Sequence, residues 1–430
     1  MSTSDAWRIA PLCIAVVFGA CSETPAPAPA PEPGLRATDL ASSATREDTI
    51  AWLEEQTYGQ AVTTVYQDTL PFCGSCEIEL VPVGSFGRVE DEVLLADIPV
   101  RVERDSRGRF YAVAVGWTLE VIVYEPDGSI VRTVGRQGEG PGEFQRTVTD
   151  LLIGPGDSLF VAHDGMRLSV FDSAGVVADA RLLDTGGGAV SRMALVEVSD
   201  GEVVLTYAPP RSLDEHQLHP LNAFDREGTL IRSFGPVGVA PLREAHLLPG
   251  RPIRTMGPVG TTIAPDGAIW IWLGSNYRLE RIDPGSGVVD RVIGVTNPMS
   301  WHGQLRMGFL EEDGVIMREG MRVNGFHQID ETLGVAVISV ASPGWEDVEL
   351  RPHPRFPADR PASDVLQELR ESVIDIIHIP TGEVLARKRI PEPSYLMSDG
   401  TLYSVTVSEL GVIQVQAFEV ELVGFEGSGV

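Results

Sequence analysis

Lysine is almost missing from this chain of 430 residues: Lys388 is the only one. Basic residues of either kind are scarce, 33 against 61 acidic ones, for a formal net charge of -28. A surface of that sign repels phosphate backbones, which argues against nucleic acid as a partner. Cations, Ca²⁺ among them, and basic peptides remain compatible with it, although solubility alone accounts for the charge. We read the excess of Arg over Lys as compositional. Catalytic signatures are also missing. There is no Gly-x-Ser-x-Gly elbow and no HExxH pair, so neither a serine-hydrolase nor a zincin mechanism is indicated. Only four cysteines occur. Cys73 and Cys76 form a lone CxxC followed by Glu77, where haem attachment would need His. With so few sulfur ligands a zinc site is not indicated either, and the pair reads as a local disulfide.

The apolar stretch Ile9 to Ala20, broken by Pro11, is too short to cross a bilayer as a helix and reads instead as the core of an export signal. It ends in Phe18-Gly19-Ala20-Cys21. Small residues before a cysteine resemble the bacterial lipobox, which implies cleavage after residue 20 and lipidation of Cys21. Phe18 stands where that motif usually has Leu. Ser22, rather than Asp, follows the cysteine, which by the same resemblance points to the outer membrane. Residues 21–38 then form a Pro/Ala-rich spacer. Polyproline II at about 3.1 Å per residue would hold a domain some tens of ångströms off the membrane. An extension over 39–76 includes a short helix expected at Thr45 to Gln56, with Thr45 as its cap.

From residue 77 to residue 430 one pattern recurs: strand, Asp/Gly turn, strand, loop, strand, second Gly turn, strand. First turns fall at 105–108, 156–157, 199–201, 265–267, 330–334 and 398–400. Second turns fall at 126–128, 172–175, 225–228, 283–287 and 380–382. The segments between them, such as Phe110 to Val115 and Ile269 to Leu273, are short, apolar and β-branched or aromatic, hence strands. The spacing is that of four-stranded propeller blades. The expectation is an all-β, six-bladed β-propeller of four-stranded antiparallel blades. The last unit has only three strands of its own, so Glu77 to Gly87 is expected to supply the fourth and close the ring. Insertions at about 236–257, 297–323 and 342–370 are the first places to look for partner contacts.

Blade two reads Leu159-Phe160-Val161-Ala162-His163-Asp164, then Arg167-Leu168-Ser169-Val170-Phe171-Asp172 and Gly175. This resembles an NHL repeat, with His163 or Asp164 at its Asp position. Asn276, Arg278, Ile282-Asp283 and Gly285 keep part of the pattern in blade four. The stretch Gly135 to Phe144 is similar to the inter-blade signature of bacterial six-bladed, NHL-like propeller lipoproteins. It lacks the Lys and the following helix that a phosphate loop needs. The resemblance implies candidate ligand contacts at one channel mouth: His163, Asp164, Arg167, Asn276 and Arg278. The plainer reading is that these groups pair with one another and hold the ring together. No resident cofactor is expected, though Ca²⁺ or Zn²⁺ stays open. A pair at His216 and His219 lies beside prolines that make a shared helical face doubtful.

Three functions compete. The first is an envelope-anchored, non-catalytic propeller binding a peptide, a glycan or an envelope protein. The second is a metal-dependent propeller enzyme of lyase or lactonase type, as the family resemblance allows. The third is an assembly scaffold.

Overall fold

Aspartate and glycine set the turns. At Asp172 one carboxylate oxygen accepts the backbone N–H of Ala174 and of Val176, both at 2.9 Å. Asp105, Asp225 and Asp330 brace their turns in the same way. Glycines in the left-handed region, such as Gly175 (φ 83°) and Gly228 (φ 85°), complete the reversal at no steric cost. Hydrogen bonds from Ser129 and Ser286 hold the carboxyls of Asp127 and Asp283 below the ordinary aspartate range. These side chains are spent on their own backbone and are poor candidates for proton transfer.

The computed structural model describes residues 62–66, 73–88, 95, 97–114, 119–164, 167–184, 192–198, 201–207, 221–234, 258–273, 277–295, 305–307, 317–319, 322–348, 363–408 and 410–425. Two strands precede the repeats, β1 (Val62–Tyr66) and β2 (Glu77–Phe86). The first sheet holds β3 (Pro99–Arg104), β4 (Phe110–Ala114), β5 (Val121–Tyr124) and β6 (Ile130–Val134). A small parallel pair, β7 (Arg136–Gln137) and β8 (Glu143–Phe144), leads on. The second sheet is β9 (Val148–Gly154), β10 (Ser158–His163), β11 (Arg167–Phe171) and β12 (Val177–Leu182). The third is β13 (Arg192–Val198), β14 (Gly201–Tyr207), β15 (Leu221–Phe224) and β16 (Leu230–Phe234). The fourth contains β17 (Pro258–Ile263), β18 (Ile269–Leu273), β19 (Arg278–Ile282) and β20 (Val289–Val295). A hairpin of β21 (Leu305–Met307) and β22 (Met317–Glu319) interrupts the series. The fifth sheet is β23 (Arg322–Gln328), β24 (Leu333–Ala341), β25 (Arg370–His378) and β26 (Glu383–Ile390), with the helix α1 (Ser363–Leu369) before β25. Last come β27 (Ser394–Leu396), β28 (Leu402–Val407) and β29 (Ile413–Val423).

The fold is all-β and a propeller of four-stranded antiparallel blades, and every turn expected from the sequence separates the strands it should. Five sheets, not six, have the expected four strands. The sheet of β17 to β20 departs from that count because β1 lies parallel along the outer edge of β20. In each sheet the first strand is innermost, and β3, β9, β13, β17, β23 and β27 neighbour one another in that order. The final sheet runs β2-β29-β28-β27, so the segment after Cys76 supplies its outer strand. The Cys73–Cys76 disulfide stands just before that strand. The expected export signal, the spacer with Cys21 and the helix over Thr45 to Gln56 lie outside the described residues. Among the described residues no helix is long and apolar enough to cross a membrane.

Aliphatic and aromatic side chains fill the seams between sheets. Tyr111, Val123 and Val134 of the first pack with Leu151, Val161 and Phe171 of the second, and Phe144 is inserted among them fully buried. A second tie is polar and recurs around the ring. From the fourth strand of one meander a cation reaches a carbonyl of the next sheet: Arg132 to Ser173 O (2.8 Å), Arg181 to Asp225 O (3.2 Å), Arg232 to Gly285 O (2.9 Å), Arg291 to Ile379 O (2.7 Å). Lys388, the only lysine, does the same to Ile78 O (3.2 Å), and Arg88, just past β2, to Asp127 O (2.8 Å). Five arginines and the lysine are therefore placed by the architecture. Replacing Arg132 with Met should keep the stem packing but lose the bond, lowering stability by about 1–2 kcal/mol. Urea unfolding beside an exposed control, Arg226→Met, checks this; equal midpoints for the two variants would remove the tie's energetic role.

Candidate functional site

Alternation along β3 turns Arg101 and Glu103 to the same side, and both are buried at the axis. The Arg101 guanidinium pairs with Glu103 and lies 3.5 Å from Asp150 on β9. Asp150 also accepts the backbone N–H of Met193 on β13 at 2.7 Å. Glu103 accepts the backbone N–H of Ser398 at 3.1 Å and its hydroxyl as well. One cluster thus joins the last sheet to the first three. Burial works against the charge on Arg101, but Glu103 and Asp150 outweigh it and the guanidinium pKa is raised. Burial pushes the Glu103 carboxyl up, against the pull of Arg101 and Ser398. The donors converging on Glu103 are those an ionised carboxylate takes.

Beside this cluster is a cavity of about 50 Å³. Trp272, Phe326 and Tyr395 are among its lining residues, with Arg101, Thr261 and Ser398. Trp272 lies flat over Gly260, where a Cβ would meet the indole at 1.9 Å. Glycine at that position is what allows the ring to lie there. Trp272 Nε1 and Thr261 Oγ1 are both buried without a hydrogen-bond partner among the described residues.

A larger groove, about 690 Å³, opens at the rim. It is formed by Gln367 and Glu368 of α1, by Pro391 and Glu392 before β27, and by Thr406, Val407, Ser408, Leu410 and Gly411 around the β28–β29 turn. The helix is seated by a small core of Ala341, Val365 and Leu369, and Ser342 N donates to Leu369 O at 3.0 Å. The insertion expected over 342–370 therefore builds one wall of an open surface. Leu410 on the opposite wall is 77% exposed. The charged residues lining the groove are Glu368 and Glu392.

Of the residues singled out by the repeat resemblance, His163 and Arg167 lie on β10 and β11 of the second sheet, with Asp164 just after β10, and Arg278 on β19 of the fourth. His163 Nδ1 pairs with Asp164 at 2.9 Å and Nε2 with Ser169 Oγ at 2.9 Å. Asp164, itself at φ 52°, accepts the backbone N–H groups of Gln145 (2.9 Å) and Arg146 (2.7 Å). Together they brace the segment after β8 against β10. Burial lowers the His163 pKa, partly opposed by Asp164. Arg167 is exposed at the start of β11. Arg278 is buried against Glu280, 2.5 Å away. Asn276 lies outside the described residues, as do His216 and His219. In the Gly-rich stretch, Glu143 holds Arg136 (2.7 Å) and Gly140 N (2.9 Å), an internally braced connection between two blades. Among the described residues no three His, Cys, Asp or Glu side chains are grouped to hold a metal ion. Sequence reasoning missed the Arg101–Glu103–Asp150 cluster and the Trp272/Thr261 cavity. The signal for the former was present as two opposite charges in alternation on a first strand.

No family model matches this chain, and no curated protein matches it. Solved structures of similar form do exist. A protein from Bacteroides fragilis described as exported matches at 10% identity and TM-score 0.49, over 84% of this chain and 99% of its own. Hydrazine synthase from Kuenenia stuttgartiensis matches at 13% and 0.40, over 74% and 75%. Virginiamycin B lyase from Staphylococcus aureus matches at 11% and 0.37, over 82% and 90%.

Proposed function

We propose that this protein is an exported, lipid-anchored and non-catalytic binding propeller, held at the cell envelope through Cys21, whose rim groove takes a basic peptide segment of an envelope protein. Counting the five-stranded sheet as a blade gives a six-bladed ring: its β17 to β20 repeat the meander of the other five, and β1 is an addition to it. Export and anchoring rest on the apolar segment before Phe18-Gly19-Ala20-Cys21 and the Pro/Ala tract after it. The NHL-like blades support the family reading of the ring.

The observation that carries binding over catalysis is the contrast between axis and rim. At the axis, Glu103 and Asp150 are bonded to Arg101 and to backbone donors, leaving no free base. At the rim, the insertion helix and a hairpin build a roomy groove with two carboxylates beside an exposed leucine. Charge complementarity favours a segment with Lys or Arg next to an apolar residue.

A short fluorescent peptide of alternating arginine and leucine tests the groove by anisotropy. It should bind in a salt-sensitive manner. The double variant Glu368→Arg/Glu392→Arg should weaken it by about tenfold or more and favour a glutamate–leucine peptide instead. Unchanged affinity for the basic peptide in that variant would refute the groove as its site.

A further inference from the structure

A sheet edge that is open and apolar templates pairing with another strand. Most outer edges of this ring are guarded. β20 is covered by β1, β2 is interrupted by a register shift after Pro82, and β26 holds Arg387, Lys388 and Arg389 in a row. β6 and β16 each carry one Arg and no acid, so two copies laid edge to edge would repel. β12 is the exception. Among the described residues no strand pairs with its outer edge. Its charged residues, Asp179 and Arg181, pair with each other at 2.9 Å, so the edge is locally neutral on a molecule of net charge -28. Ten large apolar side chains are exposed among the described residues, and three stand here: Val176 (61%), Val177 and Leu182 (60%). Ala178 and Ala180 are exposed beside them.

The order of residues along β12 selects the partner. Two copies related by a two-fold axis present the same strand to each other, antiparallel. With Ala180 on the axis, Asp179 faces Arg181 of the second copy and Ala178 faces Leu182, each pair occurring twice. Moving the axis to Asp179 or to Arg181 would set like charges face to face, which is unfavourable. The Arg181 guanidinium is already held by Asp225 O and Asp179. The complementarity across the axis is therefore one of charge sign and not a further hydrogen bond. That an outer strand of this ring accepts another is visible at β20, which β1 joins over five consecutive residues. We propose that β12 is a self-recognition edge: two copies of this chain pair β12 with β12, antiparallel about Ala180, and join their second sheets into one. The edge belongs to the second sheet and the rim groove to the fifth and last, so either can fail without the other.

Sedimentation velocity of the full chain, from micromolar to submillimolar concentration, reads the association. The sedimentation coefficient should rise with concentration toward that of a dimer. Ala180→Lys sets two ammonium groups against each other at the axis and should weaken association by about tenfold or more. Ala180 is exposed, so the urea midpoint of that variant should match the parent's. The register is tested by oxidation. Ala180→Cys should link two copies through a disulfide, since the two positions lie opposite each other. Ala178→Cys should not, because its own counterpart lies four residues away along the second strand. The parent chain is run alongside to account for its own cysteines. A chain that stays monomeric throughout, which would leave the edge to a strand of some other protein, would overturn the pairing. So would an association unchanged in Ala180→Lys, or equal cross-linking from positions 178 and 180.

Discussion

Phe86→Ala should lower the unfolding free energy by about 3–5 kcal/mol. Phe86 ends β2, is fully buried, and stacks on Tyr124 at 4.4 Å between ring centroids, with Phe110 at 5.6 Å. Tyr124 and Phe110 belong to the first sheet, whereas β2 is the outer strand of the last one. The Phe86 ring therefore bridges the seam between the last sheet and the first. Gly84 on the same strand allows the approach, since a Cβ there would strike Phe110 at 2.5 Å. Ser85 N donates to Pro126 O across the same seam at 3.2 Å. Truncation separates closure from simple loss of packing. A chain beginning at residue 73 keeps β2 and should unfold cooperatively. One beginning at residue 88 leaves the β29 edge unpaired and should aggregate or lose its cooperative transition. Equal urea midpoints for these two truncations, or a loss below about 1 kcal/mol in Phe86→Ala, would mean that the seam is held elsewhere.

The closure was legible in the sequence because it followed from counting: the last repeat had three strands and a strand-like segment was left over at the front. The turns were legible because Asp and Gly act locally, through bonds to their own backbone and through a left-handed φ. The addition of β1 was not. The sequence reading places only a short helix in the extension over 39–76, and nothing local says that Val62–Tyr66 pairs in parallel with β20, more than two hundred positions away. The cross-blade cations were hidden for a related reason. Arg132 and Arg232 look like ordinary edge-strand charges, and their acceptors are carbonyls, which every residue has. The candidate ligand residues were drawn from a repeat pattern, and the structure shows what two of them do there: His163 and Asp164 brace a connection. Arg167 and Arg278 belong to different surroundings. Position in a repeat reports a shared structural task more readily than a shared ligand. At the axis, the meeting of Arg101 and Glu103 with Asp150 depends on which strands are innermost, a fact known only once the ring is assembled.

Arg101→Met should cost about 3–5 kcal/mol near neutral pH, because it leaves Glu103 and Asp150 buried without their common counterion. The loss should depend on pH with a definite sign. Burial already places the Glu103 carboxyl above the ordinary glutamate value, and Arg101 pulls against it. Without the guanidinium the folded-state pKa rises further, while the unfolded value does not change. A carboxyl raised on folding contributes stability that is present below its unfolded pKa and disappears as pH climbs through the folded one. The deficit of Arg101→Met relative to the parent should therefore be small in acid and grow toward neutrality. Chemical unfolding at about pH 5 and about pH 8 reads the difference directly. A deficit that does not change with pH would show that Arg101 acts through packing rather than charge. The triple variant Arg101→Met/Glu103→Gln/Asp150→Asn sharpens the same point. It removes the charges together and keeps acceptors for Met193 N and Ser398 N, so most of the lost stability should return. Recovery would mean that the axial cluster costs the ring little and gains it little. Its role is then to fix which blades meet at the axis.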